Sequence, residues 1–315
     1  MQTRRLGRSD ISVAPWCFGG NVLGWTADEK TSFDLLDAFV SAGFDFIDTA
    51  DVYSNWVPGH AGGESETVIG NWLAARGNRD KVVIATKLGM GQPGRGGRLD
   101  RAYIAESIEG SLKRLRTDHI DLYQSHCDDP ATPIEETLEA YGVLVKAGKV
   151  RIIGASNFSA ERLGASLAAS AANGLPRYET LQPHYNLVDR DGFEGALQRL
   201  CVEEEVGVIP YFGLASGFLT GKYRSEADFG KSPRGGGMGK YINPRGHKIL
   251  AALDAVSARH AVAPAQVALA WLMAQPSIAA PIASATSLDQ FRGLAGAAAL
   301  ELRAEDLAEL DRAGA

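Results

Sequence analysis

Three apolar runs in this chain each end in an ionisable side chain. Phe44, Phe46 and Ile47 lead into Asp48, with Tyr53 one short turn further on in Asp48-Thr49-Ala50-Asp51-Val52-Tyr53. Val82-Val83-Ile84-Ala85-Thr86 runs into Lys87, and Ile120-Asp121-Leu122-Tyr123-Gln124-Ser125 runs into His126. Taken alone, the first reads as an aspartate opening a turn and a tyrosine packed by its ring. The repetition changes that reading, because lysine and aspartate are seldom buried unless paired. A carboxylate, an ammonium, a phenol and an imidazole at successive strand ends make a set for proton transfer. Tyrosine titrates at about 10 and needs a nearby cation to become a useful acid at neutral pH. Lys87 can supply that cation, and Asp48 can hold and orient the lysine.

Such groups must be carried by elements that end on one rim, and the chain alternates strand and helix to do so. Residues Leu6 to Val13, turning at Gly7-Arg8-Ser9-Asp10, predict a short hairpin. Ala14 to Gly19 predicts a first strand, and Thr26-x-x-Glu29 a capping box for a helix through Phe33, Leu36, Phe39 and Val40. After the strand ending at Asp48, a loop with Trp56 precedes a helix from Glu64 to Arg76. After Lys87 comes a glycine-rich stretch, Gly89 to Gly97, with Arg95 and Arg98, and then a helix capped by Asp100 with Ile104, Ile108, Leu112 and Leu115 on one face. Thr132-Pro133-Ile134-Glu135 predicts another helix start. Further strands are expected at Val150–Ala155, Tyr178–Leu181, Gly207–Pro210 and Ile278–Ala283, the last followed by a helix from about Leu288. Eight strands, each followed by helix, predict an α/β fold, a (β/α)8 TIM barrel in which active sites occupy the C-terminal ends of the strands. The rhythm breaks once, after the seventh strand, at Gly213 to Gly246. This long loop contains Lys222, Arg224, Lys231, Arg234, Lys240 and Arg245 and is read as a lid, with a disordered insertion over 228–239 as the alternative.

Asp48-Thr49-Ala50-x-x-Tyr53, Thr86-Lys87 and Tyr123-Gln-Ser-His126 together resemble the catalytic tetrad of the aldo-keto reductase superfamily, in order and spacing, and the resemblance extends over nearly the whole chain. It implies a hairpin closing the barrel bottom and an NAD(P)H-dependent carbonyl reductase. Tyr53 would donate the proton, Lys87 paired with Asp48 would lower the tyrosine pKa, and His126 would orient the carbonyl. Trp25, Trp56 and Cys127 would line the mouth for an aromatic or aliphatic aldehyde or ketone. The resemblance further implies that Ser156, Asn157 and Gln182 hold the nicotinamide amide, with Tyr211 against the ring face, and that Gly19 is a further coenzyme contact. Leu214, Ser216, Gly217 and Lys222 would lie over the pyrophosphate. Ser284, Thr286 and Gln290 stand where the family recognises the 2′-phosphate, mostly with basic residues. NADPH is therefore the expected coenzyme, preferred over NADH by a modest margin. Two departures bear on coenzyme contacts: Tyr211-Phe212-Gly213-Leu214 replaces the frequent Tyr-Ser-Pro-Leu, and Leu294 stands where many members place an asparagine.

Composition agrees with a single-domain enzyme of 315 residues without linker or composition shift. A net charge of −6 gives no reason to expect nucleic acid or an anionic membrane as partner. Cys17, Cys127 and Cys201 lack metal or redox spacing, and with no signal-length apolar stretch at the N-terminus they predict a cytoplasmic protein. Gly19-Gly20-Asn21-Val22-Leu23-Gly24 lacks the second glycine of a dinucleotide fingerprint, and Gly217 to Lys222 is too short for a P-loop. A metal-dependent hydrolase built on His126, Asp128, Asp129 and His184 is the rival enzyme, but no His-x-His pair stands on any strand and no metal is expected. A nicotinamide-binding regulatory barrel resembling potassium-channel β subunits is the rival of another class. The expected partner is a small-molecule carbonyl substrate, and the oligomeric state is left open between monomer and homo-oligomer.

Overall fold

The computed structural model describes residues 2–90, 97–232 and 235–315, so Arg95 and Arg234 lie outside the described residues. Strands β1 (Arg4–Arg5) and β2 (Ser12–Val13) form the antiparallel hairpin. Its apolar residues Leu6, Ile11 and Val13 share one buried cluster with Cys17, Phe46, Ala85, Leu122 and Ile209, which point into the barrel. The hairpin therefore plugs the N-terminal end, and Arg8 N–H donates to Glu179 Oε2 there at 2.8 Å.

The barrel strands are β3 (Cys17–Gly19), β4 (Phe46–Asp48), β5 (Val83–Leu88), β6 (Ile120–Ser125), β7 (Val150–Ser156), β8 (Tyr178–Gln182), β9 (Gly207–Val208) and β10 (Ile282–Ala283). All pair in parallel, in the order β10-β3-β4-β5-β6-β7-β8-β9. Val208 bridges to Ile278, and Ile282 N donates to Pro210 O at 2.9 Å, which brings β9 back against the β10 segment. The expected (β/α)8 architecture is present. Strands β3, β9 and β10 are shorter than expected, and a proline (Pro15, Pro210 and Pro281) lies at each shortened end. Pro15 has no N–H, and Ala14 N donates to the Asp45 carboxylate instead of the ladder. Pro281 confines the last strand to Ile282–Ala283, although its carbonyl still accepts from Cys17 N.

Helices α1 (Glu29–Ser41), α2 (Glu64–Arg76), α3 (Arg101–Leu115), α4 (Ile134–Lys146), α5 (Ala160–Asn173) and α6 (Ala196–Glu203) follow the first six barrel strands. Each turns an apolar face inward; in α3 the buried set is Ile104, Ile108, Leu112 and Leu115, at helical spacing. Two caps differ from expectation. Asp28, not Thr26, caps α1, accepting from Thr31 N at 2.8 Å, because its carboxylate is the stronger acceptor at the helix start. Thr132 gives its hydroxyl to Asp129 at 2.6 Å, so α4 starts after Pro133.

Helices α7 (Pro244–His260) and α8 (Pro264–Ala274) precede β10, followed by α9 (Leu288–Ala295) and α10 (Ala304–Gly314). The long segment after β9 contains short 3-10 turns at Ala215–Thr220, Glu226–Lys231 and Gly235–Tyr241. Tyr241 ties it to the barrel by donating to Asp189 at 2.8 Å. Among the described residues, no helix is long and apolar enough to cross a membrane.

Candidate active site

Side chains alternate along a strand, so every second residue of a barrel strand faces inward. Phe46, Ala85 and Leu122 belong to the inner apolar cluster, and one step further along their strands stand Asp48, Lys87 and Gln124. Thr180 leads to Gln182 on β8 in the same way. The apolar interior thus ends in a polar layer at the C-terminal rim.

Lys87 is fully buried and gives its ammonium to Asp48 Oδ1 and Oδ2 at 2.7 and 2.6 Å and to Thr49 O at 2.7 Å. Burying this pair is tolerable because each charge is compensated and hydrogen-bonded. Tyr53, half-buried at the mouth, directs its hydroxyl to Asp48 Oδ2 at 3.4 Å, and the Lys87 ammonium lies 4.8 Å from its ring centre. The His126 ring stands edge-on to Tyr53 at 6.1 Å between centres. Burial, and then the Lys87 charge, hold its pKa well below the usual histidine range, so the imidazole is neutral. Its Nδ1 is buried without a hydrogen-bond partner.

The tyrosine differs from expectation. Burial, then the Asp48 carboxylate, push its pKa well above the ordinary value. The physical reason is that Lys87 is spent on three oxygens, two of them on Asp48, while the Tyr53 hydroxyl itself lies 3.4 Å from the Asp48 carboxylate. Tyr53 is a phenol that keeps its proton.

Beside this group, β7 and β8 present amides. Asn157, left-handed at φ 59°, donates from Nδ2 to His126 O at 2.9 Å and accepts from Tyr211 OH at 2.8 Å. Ser156 Oγ donates to Gln182 O at 2.9 Å. Gln182 Nε2 points inward to Asp48 Oδ1 at 2.9 Å and Gln124 Oε1 at 3.3 Å. Gln124, fully buried, itself donates to Asp48 Oδ1 at 3.2 Å. Sequence reasoning gave Gln124 no role, although the alternation Leu122, Gln124, His126 placed it on the inward face. Tyr211 stacks with His184 at 5.3 Å between centres, and exposed Phe212, at φ 55°, packs on both.

The segment from Leu214 carries three successive left-handed residues, Ala215, Ser216 and Gly217. Such turns group backbone amides into anion-binding concavities. Lys222 lies over Gly217, where an added Cβ would meet its Nζ at 3.4 Å. At Gly19 a Cβ would collide with Ser284 Oγ, which instead donates to Gly19 O at 2.7 Å and Asn21 Oδ1 at 2.8 Å. Ser287 caps α9, accepting from Gln290 N at 3.3 Å. Gln290 folds back onto Thr286, accepting from its N–H at 2.9 Å and its hydroxyl at 3.1 Å, so only half of a capping box forms. Arg292 pairs with Asp289. These loops and the α9 N-terminus offer backbone amides, hydroxyls and one ammonium along the rim, a donor set that fits a dinucleotide's phosphates.

Across the mouth, Trp25 and Trp56 meet edge to face at 5.6 Å, and Trp56, 47% exposed, reaches Tyr53 at 6.0 Å between centres. Cys127 donates its thiol to Gly89 O at 3.3 Å. The residues of the rival metal site separate instead of converging. Asp128 pairs with Arg162 at 2.6 Å, Asp129 accepts from Thr132 and Leu99 N, and His184 meets Asp189 at 3.1 Å. Among the described residues, no group of three or more His, Cys, Asp and Glu could hold a metal ion.

A parallel barrel whose C-terminal rim gathers an acid, a charge pair and an anion cradle has the architecture of an α/β-barrel enzyme. The aldo/keto reductase family model matches residues 15–315. The chain is 33% identical to the aldo-keto reductase YhdN of Bacillus subtilis (strain 168), covering 96% of this chain and 89% of the relative. It is also 33% identical to the protein tas of Escherichia coli (strain K12), over 99% and 97% of the two chains. To an aryl-alcohol dehydrogenase of Pestalotiopsis microspora it is 30% identical, over 96% and 79%. The chain belongs to the aldo/keto reductase family, oxidoreductases that act on small carbonyl compounds with a nicotinamide coenzyme.

Proposed function

We propose that this protein reduces an aldehyde or ketone to the alcohol with NADPH, Tyr53 giving the proton. The observation that carries the reading is the convergence of the Tyr53 phenol, the Lys87–Asp48 pair and a neutral His126 at one rim. The bound nicotinamide supplies the hydride. Ser156, Asn157, Gln182 and Gly19 would hold its carboxamide end, Tyr211 its face, Leu214, Ser216, Gly217 and Lys222 the pyrophosphate, and Ser284, Thr286 and Gln290 the 2′-phosphate end.

A raised phenol pKa suits this direction of reaction. Tyr53 keeps its proton at neutral pH, and the alkoxide formed on reduction is far more basic than a phenolate, so transfer runs downhill. Once Tyr53 has given the proton, the Lys87 ammonium offsets the Asp48 charge beside the phenolate left behind. Neutral His126 donates a hydrogen bond from its ring N–H to the carbonyl oxygen without adding charge. Trp25, Trp56 and Cys127 form the substrate wall, and facing aromatic rings favour a flat, apolar carbonyl compound. The resemblance to an aryl-alcohol dehydrogenase supports the same substrate class. The work of such a protein is expected in the cytoplasm.

The test is nicotinamide absorbance over a panel of aromatic aldehydes, aliphatic aldehydes, ketones and sugars. The expected result is NADPH oxidation fastest with aromatic aldehydes. No oxidation with any carbonyl in the panel would refute the reading.

A further inference from the structure

Gln124 has no place among the proton-transfer groups, yet its amide sits in their midst. Interior layers of a (β/α)8 barrel are mostly branched aliphatics, and a buried amide is costly unless its hydrogen bonds are made. Among the described residues they are made to Asp48 and Gln182. Gln124 Nε2 donates to Asp48 Oδ1 at 3.2 Å, and Gln124 Oε1 accepts from Gln182 Nε2 at 3.3 Å. Gln182 Nε2 donates to the same Asp48 oxygen at 2.9 Å. A carboxylate can only accept, so both amide nitrogens must face it. The orientation of Gln182 is thereby fixed, NH2 inward, with its carbonyl oxygen at the end turned from Asp48. Gly154, the register partner of Gln124 on β7, keeps the space open. A Cβ there would collide with Thr180 Oγ1 and press on Leu122 Cδ1 at 3.0 Å and Gln124 Cγ at 3.1 Å.

We infer that Gln124 is a positioning residue that holds the Asp48 carboxylate and fixes the Gln182 amide, so that one hydrogen-bond chain sets both the coenzyme grip and the proton donor. The inference rests on the reading of Gln182 as a carboxamide ligand and of Asp48–Lys87 as the support of Tyr53. With its carbonyl presented outward, Gln182 meets a carboxamide NH2 as an acceptor. Without Gln124, Asp48 loses a donor and Gln182 is free to rotate its amide.

Two variants separate this from a merely satisfied core amide. Gln124→Met keeps the volume and removes both hydrogen bonds. Gln124→Glu keeps one donor and one acceptor while protonated, but when ionised it only accepts and sets a second charge against Asp48. Burial and that neighbour raise the pKa of the new carboxyl. Turnover and coenzyme dissociation constants, the latter by fluorescence quenching, are measured for wild type and both variants from mildly acidic to mildly alkaline pH. Gln124→Met should lower kcat on the order of 10- to 100-fold, as misplaced reacting groups do, and weaken coenzyme binding several-fold at every pH. Gln124→Glu should approach wild type at the acidic end and fall to the level of Gln124→Met at the alkaline end. Wild-type kcat and coenzyme affinity in Gln124→Met, or a Gln124→Glu profile parallel to wild type, would overturn the inference. If Gln124→Met does not fold, the Gln124→Glu profile decides. If wild type turns over no carbonyl, the reductase reading fails, and the pH dependence of coenzyme affinity in Gln124→Glu decides the positioning role on its own.

Discussion

An ammonium held by both oxygens of one carboxylate cannot also lower the pKa of a neighbouring phenol as a lone cation would. That is the situation of Lys87, with Asp48 at 2.6 and 2.7 Å. On the proposed reading its service to Tyr53 is to offset the Asp48 charge, so that the phenolate left after proton transfer does not face an uncompensated carboxylate. Lys87→Met should therefore lose turnover about as severely as loss of the phenol. The double variant with Tyr53→Phe should be little worse than either single one, because residues acting as one unit are non-additive. Steady-state kinetics of the three variants check this; losses that simply multiply would make Lys87 an independent structural partner. The same change strands Asp48 in the interior, and breaking a buried pair typically costs about 3–5 kcal/mol, so the melting temperature should fall too.

At the scale of elements, much of the molecule could be read from the sequence. α2 falls at Glu64–Arg76 as its pattern predicts, and the inward face of α3 is the expected Ile104, Ile108, Leu112 and Leu115. Misplaced boundaries came where a local competitor was stronger, as at Asp28 over Thr26, Asp129 holding Thr132, and Pro15 and Pro281 shortening ladders. What the sequence could not reveal was the partnership of side chains far apart in the chain. Gln124, Gln182 and Asp48 meet only once the barrel closes, and the raised Tyr53 pKa follows from that packing and not from residue types. The α9 N-terminus makes a prediction at this scale. On the proposed reading Thr286 and Ser287 at this end would meet the 2′-phosphate, but Thr286 gives both its N–H and its hydroxyl to Gln290, Gln290 supplies no charge, and Arg292 is occupied by Asp289. A missing charge-assisted hydrogen bond removes roughly 1.5–3 kcal/mol, or one to two decades of affinity. NADPH should bind more tightly than NADH by about tenfold or less, the margin narrowing as salt rises. Dissociation constants by fluorescence quenching check this, and equal or tighter NADH binding would overturn it.

Over the whole molecule, the barrel places a titratable group behind its own active site. Burial, then the Glu66 carboxylate, push Asp51 up to about 7, although Arg114 pulls the other way. Its Oδ1 has no hydrogen-bond partner. A carboxyl raised in the folded state contributes stability that is fully present below its unfolded pKa, about 3.9, and is lost as pH rises through 7. Asp51→Asn should thus match wild type near pH 4, gain on it steadily as pH rises to 7, and exceed it by at most about 4 kcal/mol at alkaline pH, which urea unfolding at pH 4 and above pH 7 would reveal. The central claim, however, is that closing the barrel turns Tyr53 into the proton donor of a carbonyl reduction. Its most direct test compares wild type with Tyr53→Phe, measuring coenzyme affinity and aldehyde turnover on the same preparations. The phenyl ring keeps its packing against Trp56 and His126, so coenzyme affinity should change little. Turnover should fall by about 10²–10⁴, the usual contribution of a positioned general acid. Wild-type turnover in Tyr53→Phe would contradict the account.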